Sequence, residues 1–412
     1  MGTEIFAYPF LFLTIFFEAF VLVTLLSKPA RAARARTLST TIPSVAIIVP
    51  CWNEATTVEA TCNSLLALEY PKKKLEIILV DDGSTDATPQ VMERFTGHPQ
   101  VRIILKENGG KHTALNAGIA VTNAELIGCL DADSFVEPDA LREIVACFDN
   151  PKVMATIAAI SIHKPKNILQ HMQNAEFAFG ITLRHAFASL NGLSVTPGPF
   201  SFYRRTLFET LGGFRYAHQS EDLEIALRIQ KAGYTIEKAP HARVYTKAPD
   251  TIAKLMKQRT RWTTGFFRNV LGEYRGLIAN PNYGALGMFV LPSALVAIGS
   301  SMLLFFLMLF ALMQHIITAI EIRAGIPLSY VFMSYGPLDL FYFPTNVYLF
   351  LSVTALLASL ALIVAGKYIS KIPGNTLLGL LSFALLYGFI APLWFLRATS
   401  DATFGKRRSW RS

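Results

Sequence analysis

Apolar positions follow two kinds of pattern along this chain. In four blocks they run on almost without interruption, and between the first two blocks they come in short bursts separated by polar stretches. The first block, Phe6 to Leu26, carries one charge, Glu18. About 20 apolar residues are enough to cross a bilayer. No basic region precedes the block and no small-residue cleavage site follows it, so it reads as an anchor and not a removable signal peptide. Ala285 to Met313 is charge-free and long enough to span. Pro327 to Gly366 holds only Asp339 as a charge. Its second half, Leu340 to Gly366, reads as a span, and its first half as a span, a re-entrant segment or an interfacial helix. Ile372 to Leu396 is the last span. The sequence thus divides into an N-terminal helix (1–27), a juxtamembrane linker (28–43), a water-soluble domain (44–250), an amphipathic segment (251–284), a region of three or four spans (285–397) and a tail (398–412).

Within 44–250 the short bursts are β-branched and alternate with helical patterns, which predicts a parallel sheet with covering helices. Val45–Val49, Ile77–Val80, Val101–Leu105 and Leu126–Leu130 are the predicted strands. Helices are expected at about 55–68, 87–95, 111–121 and 138–148, and further on at about 220–232. The fold class is therefore α/β, inserted between transmembrane helices.

Composition agrees with this division. Hydrophobic residues make up 52% and charged residues 16%, against roughly a quarter charged in an ordinary soluble domain. That excludes disorder and makes a single soluble globule a poor description. The net charge is +9, which on its own fits nucleic acid, an acidic membrane surface or an anionic substrate. Its distribution narrows the choice: 28–36, 254–275 and 397–412 hold 15 of the 38 basic residues, and the remainder of the chain is mildly acidic. No nucleic-acid-binding motif accompanies them. Lys28, Arg31, Arg34 and Arg36 directly follow the first span, so the positive-inside rule puts the N-terminus outside and the soluble domain in the cytoplasm of an inner-membrane protein. Arg397, Lys406, Arg407, Arg408 and Arg411 argue for an internal tail and four distal spans, whereas three spans leave the tail outside. The four cysteines, Cys51, Cys62, Cys129 and Cys147, have no zinc-type spacing and read as reduced thiols.

The chemistry is concentrated at the strand ends, where ligands bind in open α/β sheets. The second strand runs into Asp81-Asp82 and the fourth into Asp131-Ala132-Asp133. Delivering an aspartate to the end of a buried strand is costly unless it has a partner. Asp131 and Asp133 offer hard oxygen ligands of the kind that hold Mg²⁺ or Mn²⁺ together with substrate phosphates. The same residues would also serve as turn and helix caps, as would Asp81–Asp86. Gly109-Gly110-Lys111 follows the third strand, where small residues admit a ligand and Lys111 suits a phosphate.

Taken together, Val49-Pro-Cys-Trp-Asn-Glu54, Val80-Asp-Asp-Gly-Ser-Thr-Asp86, Gly110-Lys111 with Ala114-Leu-Asn116, and Asp131-Ala-Asp133 resemble the family 2 glycosyltransferases. Pro197-Gly-Pro-Phe200 with Tyr203-Arg-Arg205, Ser220-Glu221-Asp222 and Gln258-Arg-Thr-Arg261-Trp262 resemble the acceptor, Thr-Glu-Asp and Gln-x-x-Arg-Trp motifs of its processive members, with Ser220 in place of threonine. The resemblance covers about 44–275. The layout, together with Gln170 and Glu176-Phe177, is most similar to synthases of N-acetylglucosamine polymers and chitin oligosaccharides, and less so to hyaluronan and cellulose synthases.

This resemblance implies a GT-A fold and a UDP-sugar donor. It implies that Asp82, with Asp81, holds the uridine, that Asp131 positions the nucleotide and that Asp133 ligates the divalent metal. Lys111 and Arg261 add fixed positive charge where the diphosphate leaves. Asp222, beside Glu221 in the catalytic motif, is the candidate general base for the acceptor hydroxyl, although an acid in a first helical turn also fits the helix dipole. Gln258, Arg261 and Trp262 fall at i, i+3 and i+4 of a predicted helix and share one face. The surrounding apolar and basic positions suggest a helix on an anionic leaflet, where Trp262 would equally serve as an interface anchor. The expected partners are the UDP-sugar, a polysaccharide acceptor, the lipid bilayer and, as an open option, a small accessory membrane subunit. A non-processive transferase acting on a membrane lipid and a non-catalytic channel or scaffold are the rival readings.

Overall fold

Parallel strands buried on both faces need continuous apolar runs, and Val45–Cys51 (β1) and Leu75–Asp82 (β2) are such runs. The computed structural model describes residues 6–27, 42–325 and 346–405. Within the soluble part, β1 and β2 are followed by Val101–Lys106 (β3), Leu126–Cys129 (β4), Ser134–Val136 (β5), Val153–Ile162 (β6), Ser201–Arg204 (β7) and Thr235–Thr246 (β8). They form one sheet in the order β3-β2-β1-β4-β7-β6-β8-β5. The half from β3 to β4 is parallel, as the sequence predicts. The other half is mixed: β7 runs antiparallel to β4 and β6, β5 antiparallel to β8, and β6 parallel to β8.

Alternate residues of β1 and β2 feed opposite cores. Val45, Ile47, Val49, Ile77 and Leu79 pack with helices Val58–Leu66 (α2) and Ala140–Val145 (α5). Ala46, Ile48, Ile78 and Val80 pack with Lys111–Ala120 (α4) and Glu221–Lys231 (α8). The remaining soluble helices are Thr88–Glu93 (α3), Ile168–Ser189 (α6), Arg205–Leu211 (α7) and Ile252–Arg268 (α9). The four cysteines are buried free thiols.

Among the described residues four helices are long and apolar enough to cross a membrane: Tyr8–Ser27 (α1), Leu286–Ile322, Val347–Ser370 and Thr376–Thr403. The second includes helix α10 (Leu291–Arg323) and the third is α11. A further span before α11 would fall mainly on 326–345, outside the described residues, as do basic positions 28–36 and 406–412.

Helix α6 joins the soluble domain to the spans. Thr182 Oγ1 donates to the Leu362 carbonyl of α11 at 2.7 Å, and Asn174 Nδ2 to the Pro373 carbonyl at 3.1 Å. Gly366 of α11 lies so close to the Ala178 carbonyl that a Cβ there would collide with it. Helix α1 closes on the same bundle through Val21, Leu362 and Ala186. Its Glu18 is buried and accepts a hydrogen bond from Ser359 of α11.

Candidate active site

Parallel pairing brings the ends of β1, β2 and β4 to one edge. Cys51 faces Asp81 in register, and Ile48 faces Cys129. The loops beyond are tied together. The Asn53 side chain accepts from the Thr85 N–H at 2.8 Å, and the Glu54 N–H donates to Thr88 Oγ1 at 2.7 Å. Asp86 closes a turn just ahead of α3 by accepting from the Thr88 N–H at 2.9 Å, the turn role open from sequence.

The adjacent carboxylates Asp81 and Asp82 have different surroundings. Asp82 Oδ1 accepts from Lys106 Nζ at 2.6 Å and the Gly109 N–H at 3.1 Å, and its Oδ2 from the Gly110 N–H at 2.8 Å. Gly110 reaches that position at φ +94°, a conformation in which glycine avoids the Cβ penalty. Asp81 Oδ2 accepts from the Ser84 N–H at 3.1 Å, while among the described residues its buried Oδ1 has no hydrogen-bond partner.

At the tip of β4, Asp131 Oδ1 lies 2.6 Å from Lys111 Nζ, which is also 3.3 Å from Glu221 Oε1. Burial alone would lower the Lys111 ammonium, but Asp131, Glu221 and Asp222 outweigh it and raise its pKa. Gly198 sits directly on this pair. A Cβ there would stand 2.7 Å from Lys111 Nζ and 3.0 Å from the Asp131 oxygens. The Pro-Gly-Pro segment is thus packed against the charged centre.

Asp133 and Asp222 both have carboxyls pushed up to about 6. Burial is the main cause for each. Asp131 and Glu54 raise Asp133 further, and Glu221 does the same for Asp222, against the opposing pull of Lys111. Asp222 Oδ1 accepts from the Leu223 N–H at 2.9 Å, and its carbonyl accepts from the Thr196 N–H and hydroxyl at 3.1 and 2.9 Å. It is a first-turn acid of α8 that also faces the site.

A cavity of about 770 Å³ is lined by Asp82, Lys111, Asp131, Asp133, Glu221, Asp222, Gln258, Arg261 and Trp262. Of the carboxylates and of the Lys111, Gln258, Arg261 and Trp262 side chains given a role in the site, Asp81 lies outside its lining. The shared face expected of Gln258, Arg261 and Trp262 on α9 is therefore present. Trp262 is 41% exposed, and among the described residues Arg261 pairs with no carboxylate. The cavity continues along α6, past Glu176, Phe177, Gly180 and Arg184, to Tyr387 in the last span.

Sequence reasoning missed Arg184 and Arg259. As part of the basic character of a helix on an anionic leaflet, Arg259 and Arg268 would face lipid headgroups, yet both are used internally. Arg259 is buried and paired with Glu176. Arg268 Nη2 donates to the carbonyls of Asp401 and Gly405 at 2.7 and 2.8 Å and caps the last span. Helix α9 thus packs between the soluble domain and the last span, with Leu255 against Ile390 and Trp394. Gln170 is structural, its amide donating to the Ala248 carbonyl at 3.1 Å. The signal for Glu176 and Arg184 was the i, i+4, i+8 spacing of Glu176, Gly180 and Arg184, which places them on one helix face.

The mixed sheet with its acidic strand tips has a GT-A-like arrangement. Residues 46–212 match the family model described as glycosyl transferase family 2. A poly-beta-1,6-N-acetyl-D-glucosamine synthase of Staphylococcus epidermidis is 31% identical over 236 residues, 57% of either chain. The synthase of the same name from Staphylococcus aureus strain COL is 30% identical over the same extent. The chain thus spans little more than half the length of the curated relatives it matches. A mannosyltransferase from Pyrobaculum calidifontis, solved with GDP-Man and Mn²⁺, superposes with a TM-score of 0.62 at 21% identity, covering 98% of this chain and 99% of its own. At that identity the likeness concerns fold.

Proposed function

We propose that this chain is an inverting, processive glycosyltransferase of the inner membrane. It transfers a sugar, N-acetylglucosamine, from its UDP derivative to the growing end of a β-linked polysaccharide and passes the polymer outward between its spans. The observation that carries this reading is the continuity of the cavity. Carboxylates suited to a nucleotide-sugar, the Gln258–Arg261–Trp262 face and Tyr387 of a span all line this one cavity. The names of the staphylococcal synthases and the bound ligands of the archaeal mannosyltransferase support it.

The residues fit a divalent cation. Asp131 and Asp133 present hard oxygens to the cavity, and repulsion between them helps raise Asp133. Among the described residues no group of three or more His, Cys, Asp or Glu is arranged around one point. Two carboxylates completed by phosphates and water are a common form of magnesium site. Asp131 and Asp133 would hold Mg²⁺ or Mn²⁺, which when bound offsets the negative charge of the departing diphosphate. Lys111 and Arg261 contribute fixed positive charge to the same wall. Asp82 lines the cavity and orders the Gly109–Gly110 loop, so it would face the uridine, with Asp81 buried behind it.

Asp222 removes the proton of the acceptor hydroxyl as that oxygen attacks the anomeric carbon. A carboxyl pushed up to about 6 is a stronger base than an aspartate in water, near 3.9. A single displacement inverts the anomeric centre and turns an α-linked donor into a β-linked product. Trp262 offers its ring face to the acceptor sugar. Purified protein given UDP-N-acetylglucosamine and Mn²⁺ is expected to release UDP and build a polymer. A single sugar on a membrane lipid would establish the rival transferase, and absence of UDP release with any UDP-sugar would establish the non-catalytic reading. In sealed inverted vesicles the polymer is expected inside the lumen, and product left with the donor would refute export.

A further inference from the structure

The second residue of the Gln-x-x-Arg-Trp segment, Arg259, is only 3% exposed. Its guanidinium grips Glu176 of α6 with two bonds, Nε to Oε1 at 3.1 Å and Nη2 to Oε2 at 2.7 Å. Its Nη1 donates to Gln258 Oε1 at 2.7 Å. The guanidinium carbon lies 4.3 Å from the centroid of the Trp262 ring and 5.7 Å from that of Phe177. Glu176, Phe177, Gln258 and Trp262 all line the cavity, and Arg259 does not. One buried side chain therefore touches four lining residues from behind.

We propose that Arg259, clamped by Glu176, is the positioning residue of the acceptor platform. This rests on the sugar-transfer reading above. A guanidinium carries only N–H donors, so the Gln258 carbonyl oxygen must face it. That fixes the amide and leaves the Gln258 NH₂ to donate into the cavity, toward a sugar hydroxyl. The planar cation behind the Trp262 ring holds the ring's other face toward the acceptor. Lysine cannot replace this arrangement, because a point charge neither forms the two-pronged bond nor stacks flat. The ligand so recognised is a neutral β-linked sugar presenting a ring face and a hydroxyl.

The test uses the full-length protein in detergent, with UDP-N-acetylglucosamine, Mn²⁺ and a β-linked N-acetylglucosamine pentamer as acceptor. Arg259→Lys is expected to raise the KM for the pentamer about tenfold, the loss of a stacking contact and a hydrogen bond, while the KM for the donor moves less than about twofold. Gln258→Glu keeps an oxygen toward Arg259, removes the donor and is expected to raise the pentamer KM in the same way. An unchanged pentamer KM in Arg259→Lys, or equal shifts for donor and pentamer, overturns the proposal. A thermal double-mutant cycle tests the clamp without turnover. Glu176→Gln and Arg259→Gln should each lower Tm, and the double variant should lose no more than the worse single one. Additive losses overturn the clamp even if the protein uses a different sugar, so its failure is separable from failure of the function.

Discussion

At the sheet end of the cavity, position is set by backbone. Asp82 is held by two loop N–H groups and Lys106, and Asp81 by the Ser84 N–H, at the tip of a strand paired on both sides. At the helix end, position is set by side chains: Gln258 and Trp262 take their places from Arg259, which is held by Glu176 on another helix. The sheet end is fixed by the fold and suits the invariant part of the reaction, a nucleotide diphosphate. The helix end rests on a few contacts between α6, α9 and the spans, and suits an acceptor that has to move on after each addition.

This contrast makes the two ends separable by mutation. The largest effect is expected for Asp222→Asn, which removes the base. UDP release in the presence of acceptor should fall about 10²- to 10⁴-fold. Next, Asp133→Asn should cost about 100-fold in kcat/KM and raise the Mn²⁺ concentration needed for half-maximal rate, since a metal contributes several kcal/mol of charge stabilisation. Asp82→Asn weakens the carboxylate that orders the Gly109–Gly110 loop in the cavity wall and should raise donor KM about tenfold, with acceptor KM unchanged. Trp262→Ala should do the reverse, raising acceptor KM about tenfold and sparing donor KM. If either of the last two variants moved both constants equally, the two-ended description would fail.

The smallest effect is on pH dependence. Asp222 must be ionised to accept a proton. With its carboxyl raised to about 6 by burial and by Glu221, kcat should hold above that pH and fall about tenfold per unit below it. The charged or ionisable groups facing it are Glu221 on its own helix, Lys111 from α4, Asp131 from β4 and the Tyr203 hydroxyl from β7. Lys111→Met removes the cation that opposes the rise, so the falling limb should move to higher pH. A limb that stayed in place would show that Lys111 does not act on Asp222.

The parallel half of the sheet and the sheet end of the site were legible in the sequence. Runs such as Ile77–Val80 have one stable disposition, and a pair of acids ending such a run marks the strand tip. The motif spacing on α9 likewise gave Gln258, Arg261 and Trp262 a common face. The β5–β8 half was not legible, because short strands such as Ser201–Arg204 give little period to read. Helix α6 is not among the helices the sequence predicts, and its segment was read only as part of 44–250. Its membrane side is made of small residues, Ala175, Ala178 and Thr182, which mean nothing until Gly366 is found against them. Arg259 reads in sequence as one more basic residue of a helix on an anionic leaflet, and the ion pair with Glu176, 83 positions away, shows its internal use.

The most direct test of the central claim is a paired time course on purified wild-type protein and Asp222→Asn, with UDP-N-acetylglucosamine and Mn²⁺, following UDP release and product length together. The account predicts UDP release proportional to the growth of a β-linked polymer in the wild type, and loss of both in the variant. A wild type that releases UDP while adding only one sugar per acceptor would contradict it, as would a variant that polymerises at the wild-type rate.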